Sequence, residues 1–363
     1  MSKLIKHYFA CGNTSKGFQN YFSSNLKNLN KIYILKGGPG TGKSSLMKKV
    51  GKAMIDKGVP VEYIHCSSDP DSLDGIIIRS LSTAIVDGTS PHVIEPTAPG
   101  AIEEYINLGV AWDVDALAKN KNEILSLQSE ISSCYPKAYN CFARALKIHD
   151  EWEKIYIDHM DFEKANLFTQ QVIDTLLKDV RFNKPSVVMH RFFGGSSSKG
   201  FVDYVEELTG NLKYRYFIKG RPGSGKSTML KKILASSQTR GIDTEVYHCS
   251  FDPDSLDMLI MPELDLCIFD STSPHEYFPS RKGDIILDMY KELIDPQTDE
   301  NFSDQLADIM KRYKSCVSEG TSHLAYAKFL HDDLEKYYIA ATDFKIVNDI
   351  TTSLIQKIEQ QLS

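Results

Sequence analysis

Lys31-Ile-Tyr-Ile-Leu-Lys36, followed by Gly37-Gly38-Pro39-Gly40-Thr41-Gly42-Lys43-Ser44, is the stretch on which the fold turns. The first six residues are apolar and β-prone, and read as a buried strand. The glycines then permit a tight turn. From Lys43 to Asp56 the pattern is helical, until Gly58 and Pro60 stop it. A turn of the form GxxxxGK[ST] between strand and helix is a phosphate cradle, because converging backbone N–H groups and a helix N-terminus both present positive charge. In that reading Gly37, Gly38, Pro39, Gly40, Thr41, Gly42, Lys43, Ser44 and Ser45 surround the phosphates. Lys43 reaches the outer ones and Ser44 is a ligand for Mg²⁺.

The pattern occurs twice. Gly220, Arg221, Pro222, Gly223, Ser224, Gly225, Lys226, Ser227 and Thr228 form a second such loop, with Ser227 in the Mg²⁺ position. Lys226 lies 183 residues beyond Lys43 (226 − 43). The same offset carries His7 onto His190, Ser15-Lys16-Gly17-Phe18 onto Ser198-Lys199-Gly200-Phe201, His65-Cys66-Ser67 onto His248-Cys249-Ser250, and Pro91-His92 onto Pro274-His275. Later, with an offset of 182 (331 − 149), His149-Asp150 meets His331-Asp332 and Asp161-Phe162 meets Asp343-Phe344. The chain is a duplication with halves 1–184 and 185–363, a period far too long for a solenoid.

Within the first half, Val61–His65 reads as a second strand and Leu81–Val86 as part of a third. That order predicts a parallel, helix-flanked α/β sheet. Beyond about Gly100, leucines and isoleucines are spaced among Lys, Glu and Gln between Asp113 and Ser133, and again between Ala143 and Leu176. These segments read as amphipathic helices. The second half repeats the plan, with helices from Asp284 to Leu362. The expected architecture is two α/β domains, with cores to about 100 and about 283, each followed by a C-terminal helical appendage.

Ala84-Ile85-Val86-Asp87 and Cys267-Ile268-Phe269-Asp270 end apolar strands with an aspartate that can hold Mg²⁺. Both aspartates lie 44 residues past the loop lysine (87 − 43; 270 − 226). No glutamate adjoins either one. Gly88-Thr89-Ser90-Pro91-His92 and Ser271-Thr272-Ser273-Pro274-His275 follow instead. After the second strand, Asp69-Pro70-Asp71-Ser72 and Asp252-Pro253-Asp254-Ser255 offer either a base for phosphoryl transfer, with Asp69 and Asp252 preferred, or an Asx turn and helix cap. His92 and His275 read first as loop-packing residues and second as phosphate or water contacts. His65-Cys66 and His248-Cys249 supply too few ligands for zinc. His149-x3-Glu153 and His331-x3-Glu335 share a helical face and read as solvated or as helix pairing. The halves differ at Gly38 against Arg221, Arg79 against Pro262, and Ala98-Pro99 against Arg281-Lys282.

The net charge of −6 argues against a protein that coats nucleic acid, whose domains are usually basic. The seven cysteines are scattered, without a CxxC pair, which fits reduced thiols in a cytoplasmic protein. No apolar run approaches the roughly 18 residues of a membrane helix.

Through both loops and both aspartate-ended strands the chain resembles P-loop NTPases. Over its whole length, including Asp-x-Thr-Ser-Pro-His in each half, it is similar to a bacterial family of tandem P-loop, ATP-binding proteins. The resemblance implies Mg²⁺-dependent ATP binding and ATPase activity, with Lys43, Lys226, Asp87 and Asp270 catalytic and no defined partner. The glutamate absent beside Asp87 and Asp270 speaks against a fast motor ATPase. Transfer of phosphate to a small molecule or nucleotide, and a nucleotide-dependent switch that recruits a protein, stay open beside hydrolysis.

Overall fold

The computed structural model describes residues 4–362. The first half runs β1 (Ile5–Phe9), β2 (Cys11–Thr14), β3 (Gly17–Asn20), α1 (Phe22–Asn25), β4 (Lys31–Lys36), α2 (Lys43–Asp56), β5 (Val61–His65), β6 (Leu73–Ile78), β7 (Thr83–Asp87), β8 (Glu103–Asn107), α3 (Val114–Lys119), α4 (Lys121–Ile157) and α5 (Phe162–Leu177). The second half repeats it as β9 (Val188–Arg191), β10 (Gly194–Ser197), β11 (Gly200–Asp203), α6 (Val205–Thr209), β12 (Tyr214–Lys219), α7 (Lys226–Thr239), β13 (Thr244–His248), β14 (Leu256–Met261), β15 (Leu266–Asp270), β16 (Asp284–Asp288), α8 (Met289–Leu293), α9 (Thr298–Asn301), α10 (Ser303–Ala340) and α11 (Phe344–Glu359).

Each half builds a six-stranded sheet, in the order β1-β5-β6-β7-β4-β8 in the first and β9-β13-β14-β15-β12-β16 in the second. The strands β1, β5, β7, β4 and β8 run parallel where they meet, but β6 is antiparallel to both its neighbours, as is β14 in the second sheet. The expected all-parallel sheet is therefore corrected to a mixed one, and the expected helical start at Asp284 is corrected to a strand: β16, like β8, adds a parallel strand beyond the expected core limits. Parallel neighbours need a long crossover, whereas β6 is joined to β5 by the turn at 66–72 and to β7 by 79–82, connections that allow only reversal. All six residues of β6 are buried, and so lack the alternation that would mark a strand. No helix among the described residues is long and apolar enough to cross a membrane.

The helical appendages do not stay with their own halves. Asp161 caps α5 by accepting from the Lys164 N–H at 2.9 Å, and Asp343 caps α11 by accepting from the Lys345 N–H at 2.9 Å, which explains the repeated Asp-Phe pair. The buried stripe of α5, Val172, Ile173, Leu176 and Leu177, enters the core of the second sheet beside Met229, Leu230 and Ile233 of α7. Leu354 and Ile358 of α11 enter the core of the first sheet beside Leu46, Met47 and Val50 of α2. The sequence repeat divides the chain near 184, but the hydrophobic cores divide it by exchange. Each fully buried leucine or isoleucine contributes about 1.5–3 kcal/mol, so each swapped stripe is worth a sizeable part of a domain's stability.

A pseudo-two-fold axis relates the halves. Phe9 and Phe192, equivalent residues, donate their N–H groups to each other's carbonyls at 2.9 Å. The long helices α4 and α10 lie antiparallel. Phe142 fills the space that a side chain at Gly320 would need, and Ile155 packs with Leu306 and Ile309. At the sheet edge, Arg191 is fully buried between Glu62 and Glu245, each 3.3 Å from a guanidinium nitrogen. It donates to Asn25 Oδ1 at 2.8 Å and lies 4.1 Å from the centre of the Tyr8 ring. Arg191 is thus a second-half residue neutralising a first-half carboxylate in a dry interface.

Burial, the largest effect, would raise the carboxyls of Glu62 and Glu245, but Arg191 together with Arg79 at Glu62 and Lys6 at both outweighs it and holds both below the ordinary range. A lowered folded-state pKa contributes stability that is present above the unfolded value, about 4.3, and is lost as pH falls below it. Denaturant unfolding should therefore show stability falling as pH drops below about 4.3. Arg191→Met should lose about 3–5 kcal/mol at neutral pH, since two buried carboxylates lose their shared cation and keep only Arg79 and Lys6, and should weaken that acid-side decline.

Candidate functional site

In both halves the glycine loop joins the strand one in from a sheet edge, β4 or β12, to the helix that follows. Gly42 and Gly225 take the left-handed conformation, with φ of 88° and 84°, which turns the chain into α2 and α7. Thr41 and Ser224 tie the loop from inside, each donating its hydroxyl to the carbonyl of residue 38 or 221, at 2.8 and 2.7 Å. Lys43 Nζ donates to the carbonyls of Gly37 and Gly38 at 2.8 and 3.0 Å and stands 3.5 Å from Asp87 Oδ2. Lys226 Nζ donates to the Arg221 carbonyl at 2.9 Å and stands 3.5 Å from Asp270 Oδ2. The parallel pairing of β4 with β7, and of β12 with β15, sets that lysine–aspartate separation.

Ser44 and Ser227 accept the N–H of Leu73 and Leu256, both at 3.0 Å, which fixes the first turn of each helix against the neighbouring strand. The other carboxylate oxygens of Asp87 and Asp270 accept the hydroxyls of Thr89 and Thr272 at 2.6 Å. Ser45 and Thr228 are exposed on the first turns of α2 and α7. Arg221 points away from its lysine. It pairs with Asp299 at 2.7 Å and lies 5.1 Å from the Tyr290 ring centre.

The acids after the second strand do form a turn: Asp69 accepts the Asp71 N–H at 3.3 Å and the Ser72 hydroxyl at 2.9 Å, and Asp252 does the same. They also meet cations from the opposite half. Lys16 Nζ is 2.8 Å from Asp252, and Lys328 Nζ is 3.6 Å from Asp69. His65 joins His7 at 2.8 Å and the Pro70 carbonyl at 2.7 Å, in keeping with a packed strand end.

Two buried acids that close the repeated acidic stretches, Asp74 and Asp257, drew no role from the sequence because they lie in the unread strands β6 and β14. Asp74 is 3.2 Å from His92, whose imidazole burial alone would lower but which Asp74 pushes up to about 9. In the second half Asp257, Asp270 and His275 bring ligand atoms within 4.8 Å of one another, and neither His275 ring nitrogen has a hydrogen-bond partner. Burial pushes Asp257 up to about 6, with His275 lowering it and Asp270 raising it. The equivalent histidines are thus packed against an acid in both halves, as an ion pair in the first.

The larger finding is what covers the loops. Helix α10 of the second half lies on the first loop: a Cβ at Gly38 would come within 2.7 Å of Tyr338, and one at Gly40 within 3.0 Å of the Glu335 carbonyl. Helix α4 of the first half lies on the second loop, where a Cβ at Gly223 would come within 2.5 Å of the Glu153 carbonyl. His149 and His331, read as solvated or pairing residues, instead face the loops. His149 lies in the field of Lys226, Asp252 and Asp270, and His331 in that of Lys328 and Lys43. Each histidine is 3.7 Å from the glutamate one turn on. The only sequence signal was the repetition of both pairs at the same offset.

No protein-family model, curated protein or solved structure matches the chain.

Gly223 has φ of 75° and a blocked Cβ, while Gly200 has φ of 87° and open space around it. Gly200→Ala should cost about 1 kcal/mol of backbone strain alone. Gly223→Ala should cost about 1–3 kcal/mol more, since α4 must also retreat. Thermal unfolding of the two variants reads the difference, and equal costs would mean that the helix does not bear on the loop.

Proposed function

We propose that each glycine loop binds Mg²⁺-ATP and that the chain hydrolyses it. The observation that carries this reading is the repeated geometry of the loop: a glycine turn opening a helix, with a lysine ammonium 3.5 Å from an aspartate on the adjacent parallel strand, in both halves. The fit to an anion is supported by Glu153, whose charged carboxylate is favoured by the nearby Gly223 N–H of the second loop. A loop amide that takes a carboxylate can take a phosphate oxygen.

In this reading the loop amides and Lys43 or Lys226 hold the phosphate chain and stabilise charge on its outer oxygens as it shifts toward the leaving group. Ser44 with Asp87, and Ser227 with Asp270, hold the cation; these all-oxygen donors suit a hard ion such as Mg²⁺. Mg²⁺ when bound supplies positive charge that neutralises the phosphate oxygens. Thr89 and Thr272 orient the two aspartates. Asp69 and Asp252 are committed to the turn and to Lys328 and Lys16, which favours hydrolysis over transfer to an acceptor.

ADP release from Mg²⁺-ATP without any acceptor tests the reading. Lys43→Ala and Lys226→Ala should each remove the turnover of one site by about 10²–10³-fold, and the double variant should release almost none. Unchanged turnover in the double variant would refute it.

A further inference from the structure

Among the described residues, the acids of the first loop's own half are engaged, and at the second loop Asp257 sits beside Asp270 and His275. Asp87 and Asp270 face the lysines, Asp69 and Asp252 close turns, and Asp74 is joined to His92. The residues that reach the loops come from across the pseudo-two-fold axis. Glu153 approaches Gly223 with its backbone, its carbonyl 2.5 Å from where a Cβ at Gly223 would stand, and Glu335 places its Cβ 3.2 Å from where a Cβ at Gly40 would stand. Both glutamates carry a histidine one helical turn earlier, at the same 3.7 Å separation. An i, i+4 pair presented identically to two loops, by two helices belonging to the opposite halves, is an arrangement of the site and not of either helix alone.

We propose that the two sites are composite, with Glu153 of the first half activating water at the second loop and Glu335 of the second half activating water at the first. This rests on the ATP hydrolysis reading above. The step balances as follows: the carboxylate takes a proton from water, and the water oxygen bonds to the terminal phosphorus as the bond from phosphorus to the bridging oxygen breaks. ADP leaves with that electron pair, inorganic phosphate carries the new oxygen, and the proton passes from the glutamate to solvent.

The environment suits the role. Glu153 is half-buried, and burial raises its carboxyl, with Asp150 adding to the rise and Lys226 opposing it, which makes it a stronger base than a free glutamate. His149 is lowered by burial first and by Lys226 second, so the neutral imidazole beside Glu153 brings no charge to compete with the lysine. The Glu153 carboxylate, near enough to the Gly223 N–H to be favoured by it, is an anion at the place a phosphate oxygen would take. Displaced by the phosphate chain, it stays tethered to α4, next to the terminal phosphate. Tyr338 on Gly38, and Tyr156 at the matching place on α4, bonded to Asp299 at 2.7 Å, hold the two helices in position.

Crossed double variants of the full chain test this. Lys43→Ala with Glu153→Gln strikes both sites and should abolish ADP release, about 10²-fold below Lys43→Ala alone. Lys43→Ala with Glu335→Gln strikes one site twice and should keep the turnover of the second. Binding of a fluorescent ATP analogue supplies the readout besides activity. Glu153→Gln should bind it at least as tightly as the unmodified protein, because a competing anion leaves the loop, whereas a merely structural glutamate would lose affinity. Trapping of Mg²⁺-ADP with aluminium fluoride should fall from two equivalents to one in either single glutamine variant. The reverse pattern, with Glu335→Gln silencing what Lys43→Ala leaves, or weaker analogue binding by Glu153→Gln, would overturn the composite assignment while leaving hydrolysis standing. Absence of analogue binding and turnover in the unmodified protein would remove the hydrolysis reading, and this one with it.

Discussion

The contact on which the rest depends is the seating of each long helix on the other half's glycine loop. It requires glycine at 40 and 223, because the helix backbone comes closer than any side chain would allow. It requires α4 and α10 to run antiparallel past the axis, so that each ends over the opposite sheet. That in turn delivers α5 and α11 to the wrong core for their position in the chain, where their apolar stripes complete α7 and α2. Once the helices are exchanged, neither half can close its own core, and the two fold as one cooperative body or lose the apolar burial on both sides.

Much of this was legible in the residues and some was not. The strand Lys31–Lys36, the helix Lys43–Asp56 and the strand Val61–His65 form where the pattern places them, because apolar runs, glycines and prolines act locally. The lysine–aspartate juxtaposition was legible too, since equal spacing in two copies is hard to produce without equal geometry. The strands β6 and β14 were not read, because fully buried strands carry no alternation. The exchange of helices was invisible for a different reason. Amphipathic periodicity says that a helix has a partner, not which copy of a duplicated core supplies it. The same blindness hid His149, Glu153, His331 and Glu335, whose helical spacing is compatible with solvent as well as with a loop from the far half.

The two halves have diverged where the exchange leaves room. Lys328 of α10 reaches Asp69, but its counterpart on α4 is Leu146, and Asp252 takes Lys16 from the β2–β3 hairpin instead. Arg221, in place of Gly38, is held outside its loop by Asp299 and Tyr290, while at Gly38 the ring of Tyr338 fills the space. In the first half His92 and Asp74 form an ion pair, and in the second His275 lacks a hydrogen-bond partner while Asp257 sits near Asp270. The same frame therefore presents two electrostatically different sites, with the conserved part in the loop and lysine and the variable part in the cations around the acids.

An exchanged helix also gives the two loops a mechanical relation that adjacent domains would lack. Tyr338 and Glu335, which lie against the first loop, sit on α10, whose other end packs against α4 through Leu306 and Ile309. Helix α4 carries Glu153 over the second loop. The path is one packed helix pair with little compressible space, and close-packed interfaces shift between discrete arrangements more readily than they deform. The duplication thus does more than double a site. It makes each loop's cover a part of the other half.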